Sequence, residues 1–377
     1  MTIGILCEPS YESRVSLLPG NINQLKKHNI NVAVEAGSGS KAFVSDEQYR
    51  EEGAEIVSRE EILKNCEIVL CIHPLSTEET SLLNKDAVLI GTYFPLAQND
   101  LVNSWTSNGL STFSLDMLPR TTRAQTMDVL SSQANIAGYR AVLMAALHLP
   151  KYFPMLMTAA GSIAPAKVLI LGAGVAGLQA IATARRLGAV VEVFDTRPTV
   201  KEEVMSLGAK FIEVEGAADA SSAGGYAVEQ TEDYQRKQQE RISEASVKAD
   251  VIITTAQIPG RKAPILITED ILEKMKPGSL IIDLAASTGG NTAKTKNNET
   301  VIFNQVSITG NSNLASGMPA DASKLYGKNV FNFLQLILKD GLLNLNFEDD
   351  LVKGACITHQ GEIINDRVKQ SLKDQIN

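Results

Sequence analysis

Residues 167–195 read KVLILGAGVAGLQAIATARRLGAVVEVFD, and this stretch restricts the fold more than any other. An apolar run leads into Gly172, Gly174 and Gly177 at G-x-G-x-x-G spacing. A helical pattern follows at once, and a second apolar run ends in Asp195, 18 residues after Gly177. The three glycines serve different physical ends. Gly172 permits a tight turn, Gly174 lets backbone approach a pyrophosphate, and Gly177 lets helix and strand pack closely. The helix N-terminus then faces the anion with unpaired N–H groups. A carboxylate at Asp195 suits a ribose diol and repels a 2′-phosphate, which favours NAD(H) over NADP(H). Arg197, two residues on, is the residue type that accommodates a 2′-phosphate and weakens that preference. Val175, Ala176 and Thr196 adjoin these positions and join the cofactor-binding candidates. The alternative is a glycine turn of structural use alone.

The rest of the chain fits the same class. "IGIL", "NVAV", "EIVLCI" and "AVLI" alternate with charged amphipathic segments, which reads as βαβ units and a largely parallel sheet. A long helix is expected from Ser131 to about Leu149, stopped by Pro150. A second α/β unit runs from "AKVLILGAGVAG" through "KFIEV", "ADVIITTA" and "GSLIIDLAA", and "DASKLYGKNVFNFLQLILKDG" reads as a late helix stopped by Gly341. The expected architecture is α/β: two Rossmann-like, doubly wound parallel-sheet subdomains joined by two long helices, with a cleft between them. The N-terminal subdomain takes residues 1–130 and 319–377, and the dinucleotide-binding one takes 131–318. Residues 216–235 read as a mobile loop with Tyr226 near its tip, and long loops in compact domains tend to be functional.

Composition excludes several classes. The formal net charge is -8, with no basic stripe to meet nucleic acid. No run of roughly 18 apolar residues exists, so no transmembrane helix is expected. The N-terminus lacks the basic region of a signal peptide. Cys7, Cys66, Cys71 and Cys356 have neither disulfide-framework nor zinc-site spacing. No metal site is expected, the compartment reads as reducing and cytoplasmic, and Cys66 and Cys71 read as buried strand residues. Carbonyl or imine reduction needs a proton donor, and the candidates are few. His28 lies on a polar helix face, His148 near the end of the long helix, and His359 in a terminal hairpin or loop. His73, ending a parallel strand, is the one legitimate site position. A nicotinamide site without an evident proton shuttle points to direct hydride transfer between two nicotinamides, which needs only close approach of the reacting carbons, roughly 3–3.5 Å.

"PRTTRAQTMDVLSSQANIAGYRAV" at 119–142 resembles the signature of the NAD(H)-binding component, domain I, of the proton-translocating NAD(P) transhydrogenase family. "MTAAGSIAPAKVLILGAGVAG", "AGGYAVEQ", "TTAQIPGRKAP", "MKPGSLIIDLA" and "ADAS" extend the likeness over nearly the whole chain. The resemblance implies that Arg120, Gln125, Asp128 and Ser131 surround the nicotinamide and its ribose. It places the mobile-loop tyrosine on Tyr226, beside Gly225, and a following glutamine on Gln238. Ala256 and Gln257 complete the cofactor set. Read without the resemblance, Asp128 and Ser131 are equally good helix caps.

The resemblance also implies a homodimer, NADP(H) on a partner subunit, and a membrane-embedded subunit that couples hydride transfer to proton movement. The chain is then a separate alpha subunit, cytoplasmic and attached to the inner face of the membrane only through those partners. Alanine dehydrogenase shares the fold. Of its substrate groups Arg14 matches, but the Lys position falls near Ile72, the His near Pro95 and the Asp at Ser287. A third reading is a non-catalytic NAD(H)-binding module. Gln257 stands where the family has an apolar residue, and "SNLAS" replaces its usual turn.

Overall fold

The computed structural model describes residues 1–216, 231–258 and 260–374. The chain forms two compact units, Met1–Gln133 with Ser316–Asn377, and Ala134–Ala315.

In unit 1, strands β1 (Thr2–Ile5), β2 (Asn31–Glu35), β3 (Glu55–Val57), β4 (Ile68–Leu70), β5 (Val88–Gly91) and β6 (Ser111–Ser114) are mutually parallel. The sheet order is Glu362–Ile363, Cys356–His359, β6, β5, β4, β1, β2, β3, and the two late strands run antiparallel. Both faces are covered, which is why its strands read as near-continuous apolar runs. Ile3, Ile5, Ile68, Leu70 and Ile90 lie in one layer with Phe333, Leu334 and Ile337, and Val69, Leu89 and Trp105 lie in the other. Cys66 and Cys71 are buried, yet they flank β4 instead of lying in it. His359 sits in the late hairpin, which packs back on β6.

Helix α1 (Val129–His148) begins in unit 1 and continues into unit 2. In unit 2, strands β7 (Lys167–Leu171), β8 (Val190–Phe194), β9 (Lys210–Phe211), β10 (Val251–Thr254), β11 (Leu280–Asp283), β12 (Thr300–Phe303) and β13 (Val306–Gly310) form one sheet. Its order is β9-β8-β7-β10-β11-β13-β12, parallel except for β12 against β13. This is the doubly wound arrangement, with a topological switch point between β7 and β10 where ligands bind. Helix α2 (Val175–Arg186) links β7 to β8, and α3 (Glu232–Ser246) precedes β10. At the opposite sheet edge Asp250 accepts from Lys151 Nζ (2.9 Å), the Lys167 N–H (2.8 Å) and Lys276 Nζ (3.1 Å), tying three segments together.

The returning helix α4 (Pro319–Ile337) ends earlier than Gly341. Asp340 and Gly341 have φ of 51° and 77° and make the tight turn of a hairpin, Leu338–Lys339 with Leu342–Leu343. Two successive positive φ values are what Asp-Gly supplies at a two-residue turn, and that preference overrides helix continuation.

Glycine sets the closest approaches in unit 2. A Cβ on Gly138, on α1, would lie 2.1 Å from the Ala176 carbonyl oxygen of α2. Such a separation requires backbone to move. Glycine inside a helix costs about 1 kcal/mol relative to alanine, whereas overpacking costs about 1–3 kcal/mol. Gly138→Ala is therefore expected to lower the urea midpoint, and a midpoint at or above wild type would refute the contact.

Unit 1 carries a buried carboxyl where β1 and β4 end. Glu8 accepts the N–H groups of Ile72 (2.6 Å) and His73 (3.1 Å). Burial pushes its pKa up to about 7, although both backbone bonds oppose the rise. Because the folded pKa is raised, the stabilisation is complete below the ordinary glutamate range and is lost as pH climbs through about 7. Glu8→Gln should therefore gain stability relative to wild type between pH 5 and pH 8, compared by urea midpoints at both values. A pH-independent difference would remove Glu8 as the titrating group.

Candidate functional site

The glycine loop after β7 is built as its spacing requires. Gly172 has φ 106°, and a Cβ there would lie 2.3 Å from Thr255 Oγ1. A Cβ on Gly177 would lie 1.9 Å from the Gly172 carbonyl oxygen, so the helix start rests directly on the loop. Gly174 differs. Its φ of −77° suits any residue, and nothing lies within 4 Å of a Cβ position there. It is the N-cap of α2, yet no side chain caps the helix's first N–H groups. The protein's own packing gives no reason for glycine at 174; close approach of a ligand does. The loop therefore fits a dinucleotide pyrophosphate. Val175 is partly exposed at the helix start, while Ala176 turns its carbonyl toward Gly138.

Asp195, just past the end of β8, is buried and crowded with donors. Its Oδ2 accepts the Ala173 N–H (2.7 Å) and Arg197 Nη2 (2.8 Å). Its Oδ1 accepts the Arg197 backbone N–H (2.8 Å) and Nε (2.9 Å). The hydrogen bonds to Asp195 raise the Arg197 pKa. Thr196, between them, is half-buried. Tyr234 is buried in the first turn of α3, and burial, with the charge of Asp195, raises its pKa. Gln238 lies one turn further on, also half-buried.

Beyond β10, Thr255 Oγ1 donates to the carbonyls of Leu171 (3.3 Å) and Gly172 (3.1 Å), joining this loop to the glycine loop. Ala256 is held from both sides by Asn291: its N–H donates to Oδ1 (3.1 Å) and its carbonyl accepts from Nδ2 (2.9 Å). Asn291 is set by the buried Asp283, whose Oδ2 accepts its N–H (2.6 Å) and Thr295 Oγ1 (2.6 Å). Gln257 is exposed and donates to the Leu284 carbonyl (3.0 Å). A polar residue at 257 thus bridges the loops after β10 and β11.

The segment 120–131 belongs to unit 1. Thr122–Met127 is a 3₁₀ turn ahead of α1. Its Thr126 carbonyl accepts from Asn329 Nδ2 and Asn332 Nδ2 of α4, both at 2.8 Å. Arg123 binds Asp349 (2.6 Å) and Asp350 (3.0 Å). Asp128 caps α1: its Oδ1 accepts the Ser131 N–H (2.9 Å) and its Oδ2 accepts Ser131 Oγ (2.5 Å). Of the two readings of this pair, the cap is the one its geometry displays. Gln125 is exposed, and its side chain makes no hydrogen bond to a described residue; Arg120 is exposed too.

A second polar cluster in unit 1 encloses Arg14. Glu12 accepts from Arg14 Nε (2.9 Å) and Nη2 (2.6 Å), and His73 Nε2 reaches its Oε2 (2.9 Å). Arg14 Nη1 donates to Gln133 Oε1 on α1 (2.9 Å). Burial alone would raise the Glu12 pKa, but the bonds from Arg14 and His73 hold it well below the usual carboxylate range. Among the described residues no group of three or more His, Cys, Asp or Glu is arranged to hold a metal ion, and no helix is long and apolar enough to cross a membrane.

The structure thus gathers Gly172, Asp195 and the loop that carries Ala256 and Gln257 at the carboxyl edge of the unit 2 sheet. Gly225 and Tyr226 lie outside the described residues. Sequence reasoning missed Gly138, Thr255, Asp283 and Asn291. Only Gly138 carried a signal, being a glycine inside an alanine-rich helix.

Known proteins share this arrangement. Residues 4–137 match the alanine dehydrogenase/PNT N-terminal domain and residues 141–366 the alanine dehydrogenase/PNT C-terminal domain. The first portion of an NAD(P) transhydrogenase subunit alpha from Rhodospirillum rubrum, itself a separate chain, is 43% identical over 364 residues, covering 94% of this chain and 95% of that one. A transhydrogenase crystal structure from Sinorhizobium meliloti superposes with a TM-score of 0.88 at 42% identity, over 97% of this chain and 100% of that one. An L-alanine dehydrogenase structure shares the fold, with a TM-score of 0.84 at 24% identity over 99% of each chain. With both domain models matched and such identity sustained along its length, the chain belongs to the alanine dehydrogenase/PNT family, among the NAD(P) transhydrogenase alpha subunits.

Proposed function

We propose that this chain is the NAD(H)-binding component of a proton-translocating transhydrogenase. Hydride passes between NADH held here and NADP⁺ on a partner subunit, and a membrane-embedded subunit couples the transfer to proton movement. The chain works as a homodimer and reaches the inner face of the membrane only through those partners. Bound NADH supplies the hydride. Gly172, Gly174 and Gly177, with Val175 and Ala176, receive the pyrophosphate, and Asp195, flanked by Thr196 and Arg197, takes the adenosine ribose. Gln238, Ala256 and Gln257, with Gly225 and Tyr226, complete the cofactor set. Arg120 and Gln125 present polar groups to the nicotinamide. Asp128 and Ser131 hold that segment on the first turn of α1.

The observation that carries the choice of acceptor is the state of Arg14. In an alanine dehydrogenase a free cation would have to receive the substrate carboxylate. Here the guanidinium is taken up by Glu12 (2.6 and 2.9 Å) and Gln133 (2.9 Å). Separating a buried pair leaves an uncompensated charge, which costs about 3–5 kcal/mol. His73, the remaining acid–base candidate, is engaged by the same carboxylate (2.9 Å). Transfer between two nicotinamides uses neither group, since positioning supplies the rate.

The test mixes the purified chain with an NADP(H)-binding transhydrogenase subunit and follows NADH-driven reduction of NADP⁺. Stimulation over either protein alone is expected, with no alanine-dependent reduction of NAD⁺ by the isolated chain. Absence of stimulation sinks the proposal. Within that assay Gln125→Asn should slow hydride transfer by about tenfold or more while NADH affinity moves less than about threefold. No described fold contact of that side chain is lost, so an unchanged rate would remove Gln125 from the site.

A further inference from the structure

We propose that Arg197 is a specificity-determining residue, a latch that competes with the ribose diol for Asp195; this rests on the assignment of Asp195 as the ribose-binding carboxylate. A carboxylate presents about four lone-pair directions. In the structure four donors fill them: two backbone N–H groups, from Ala173 (2.7 Å) and Arg197 (2.8 Å), and the Nε (2.9 Å) and Nη2 (2.8 Å) of the Arg197 fork. The backbone donors are fixed by the glycine loop and the turn after β8. The fork is the part that can leave, because it ends a flexible side chain.

A ribose diol brings two hydroxyl donors, the same number that the fork withdraws. Entry of the diol is therefore an exchange of donors on a carboxylate already satisfied. The exchange has an energetic cost, because the Asp195 and Arg197 side chains are only 6% and 17% exposed. Two charge-assisted hydrogen bonds in so shielded a place are stronger than neutral ones. The latch sets two properties at once. It keeps NAD(H) binding weaker than an open carboxylate would allow, which favours turnover over retention. It also releases a guanidinium beside the sugar when the diol enters, which softens the rejection of a 2′-phosphate by Asp195.

The experiment titrates wild type, Arg197→Met and Arg197→Lys with NADH and with NADPH, reading dihydronicotinamide fluorescence in the absence of any partner subunit. Arg197→Met removes the fork and keeps the stem. It is expected to bind NADH about tenfold tighter, one lost competitor pair offset by guanidinium hydration, with NADPH no tighter than in wild type. Arg197→Lys keeps the charge without the fork and should gain about threefold for NADH. If Arg197→Met does not fold, as judged by circular dichroism, the lysine variant decides alone. NADH affinity that is unchanged or weaker in the folded variants, with wild type binding normally, overturns the latch and leaves the proposed function standing. A wild-type chain that binds no NADH overturns both.

Discussion

Contact of backbone on backbone is the constraint from which unit 2 is built. The start of α2 rests on the Gly172 carbonyl because Gly177 has no side chain, and α1 rests on Ala176 because Gly138 has none. Neither contact tolerates even a methyl group, so the loop between β7 and α2 has one conformation available to it. A rigid loop of this kind holds its N–H groups in place before a ligand arrives, and an anion then meets them with no ordering still to be done.

Charged and amide side chains have a second use, which is to place main chain. Asp283 fixes Asn291, and Asn291 satisfies both backbone groups of Ala256. Asp128 ties the first turn of α1 through Ser131. Two asparagines of α4 share the Thr126 carbonyl. In unit 1 Glu12 neutralises Arg14, so an arginine that looks like a substrate ligand in the sequence is a brace in the structure. Such groups are costly to leave unpaired once shielded from water, which makes each network an all-or-none support for the loop it holds.

Much of this is readable from residue order. The glycine spacing and Asp195 announce the β7–α2–β8 unit because turn sterics and helix-end electrostatics are local. The alternating apolar runs announce a parallel sheet because strands buried on both faces have no polar side. The errors have physical causes too. Gly341 reads as a helix stop, although Asp340–Gly341 is equally a hairpin turn and the partner strand decides between them. Cys66 and Cys71 read as strand residues, and the strand is shorter than its apolar run, although both thiols are buried as expected. Asn291 and Asp283 stay invisible in the sequence, since their roles depend on loops 27 or more residues away along the chain. The Arg197 fork on Asp195 is beyond reach for another reason: spacing gives proximity, but only geometry shows that all four acceptor directions are filled.

The open space beside Gly174 has an evolutionary consequence. Gly172 and Gly177 would stay glycine in any descendant that kept the fold, because the protein's own atoms exclude a side chain at both. Gly174 is held by nothing internal: serine or aspartate there would cap α2, worth about 1 kcal/mol, and even alanine would stabilise the fold by about 0.4–1 kcal/mol through the entropy of the unfolded chain. A lineage that stopped using the loop would drift toward those residues within the reach of single substitutions. Glycine at 174 is thus a running record of use, erased by selection for stability as soon as the ligand is no longer needed.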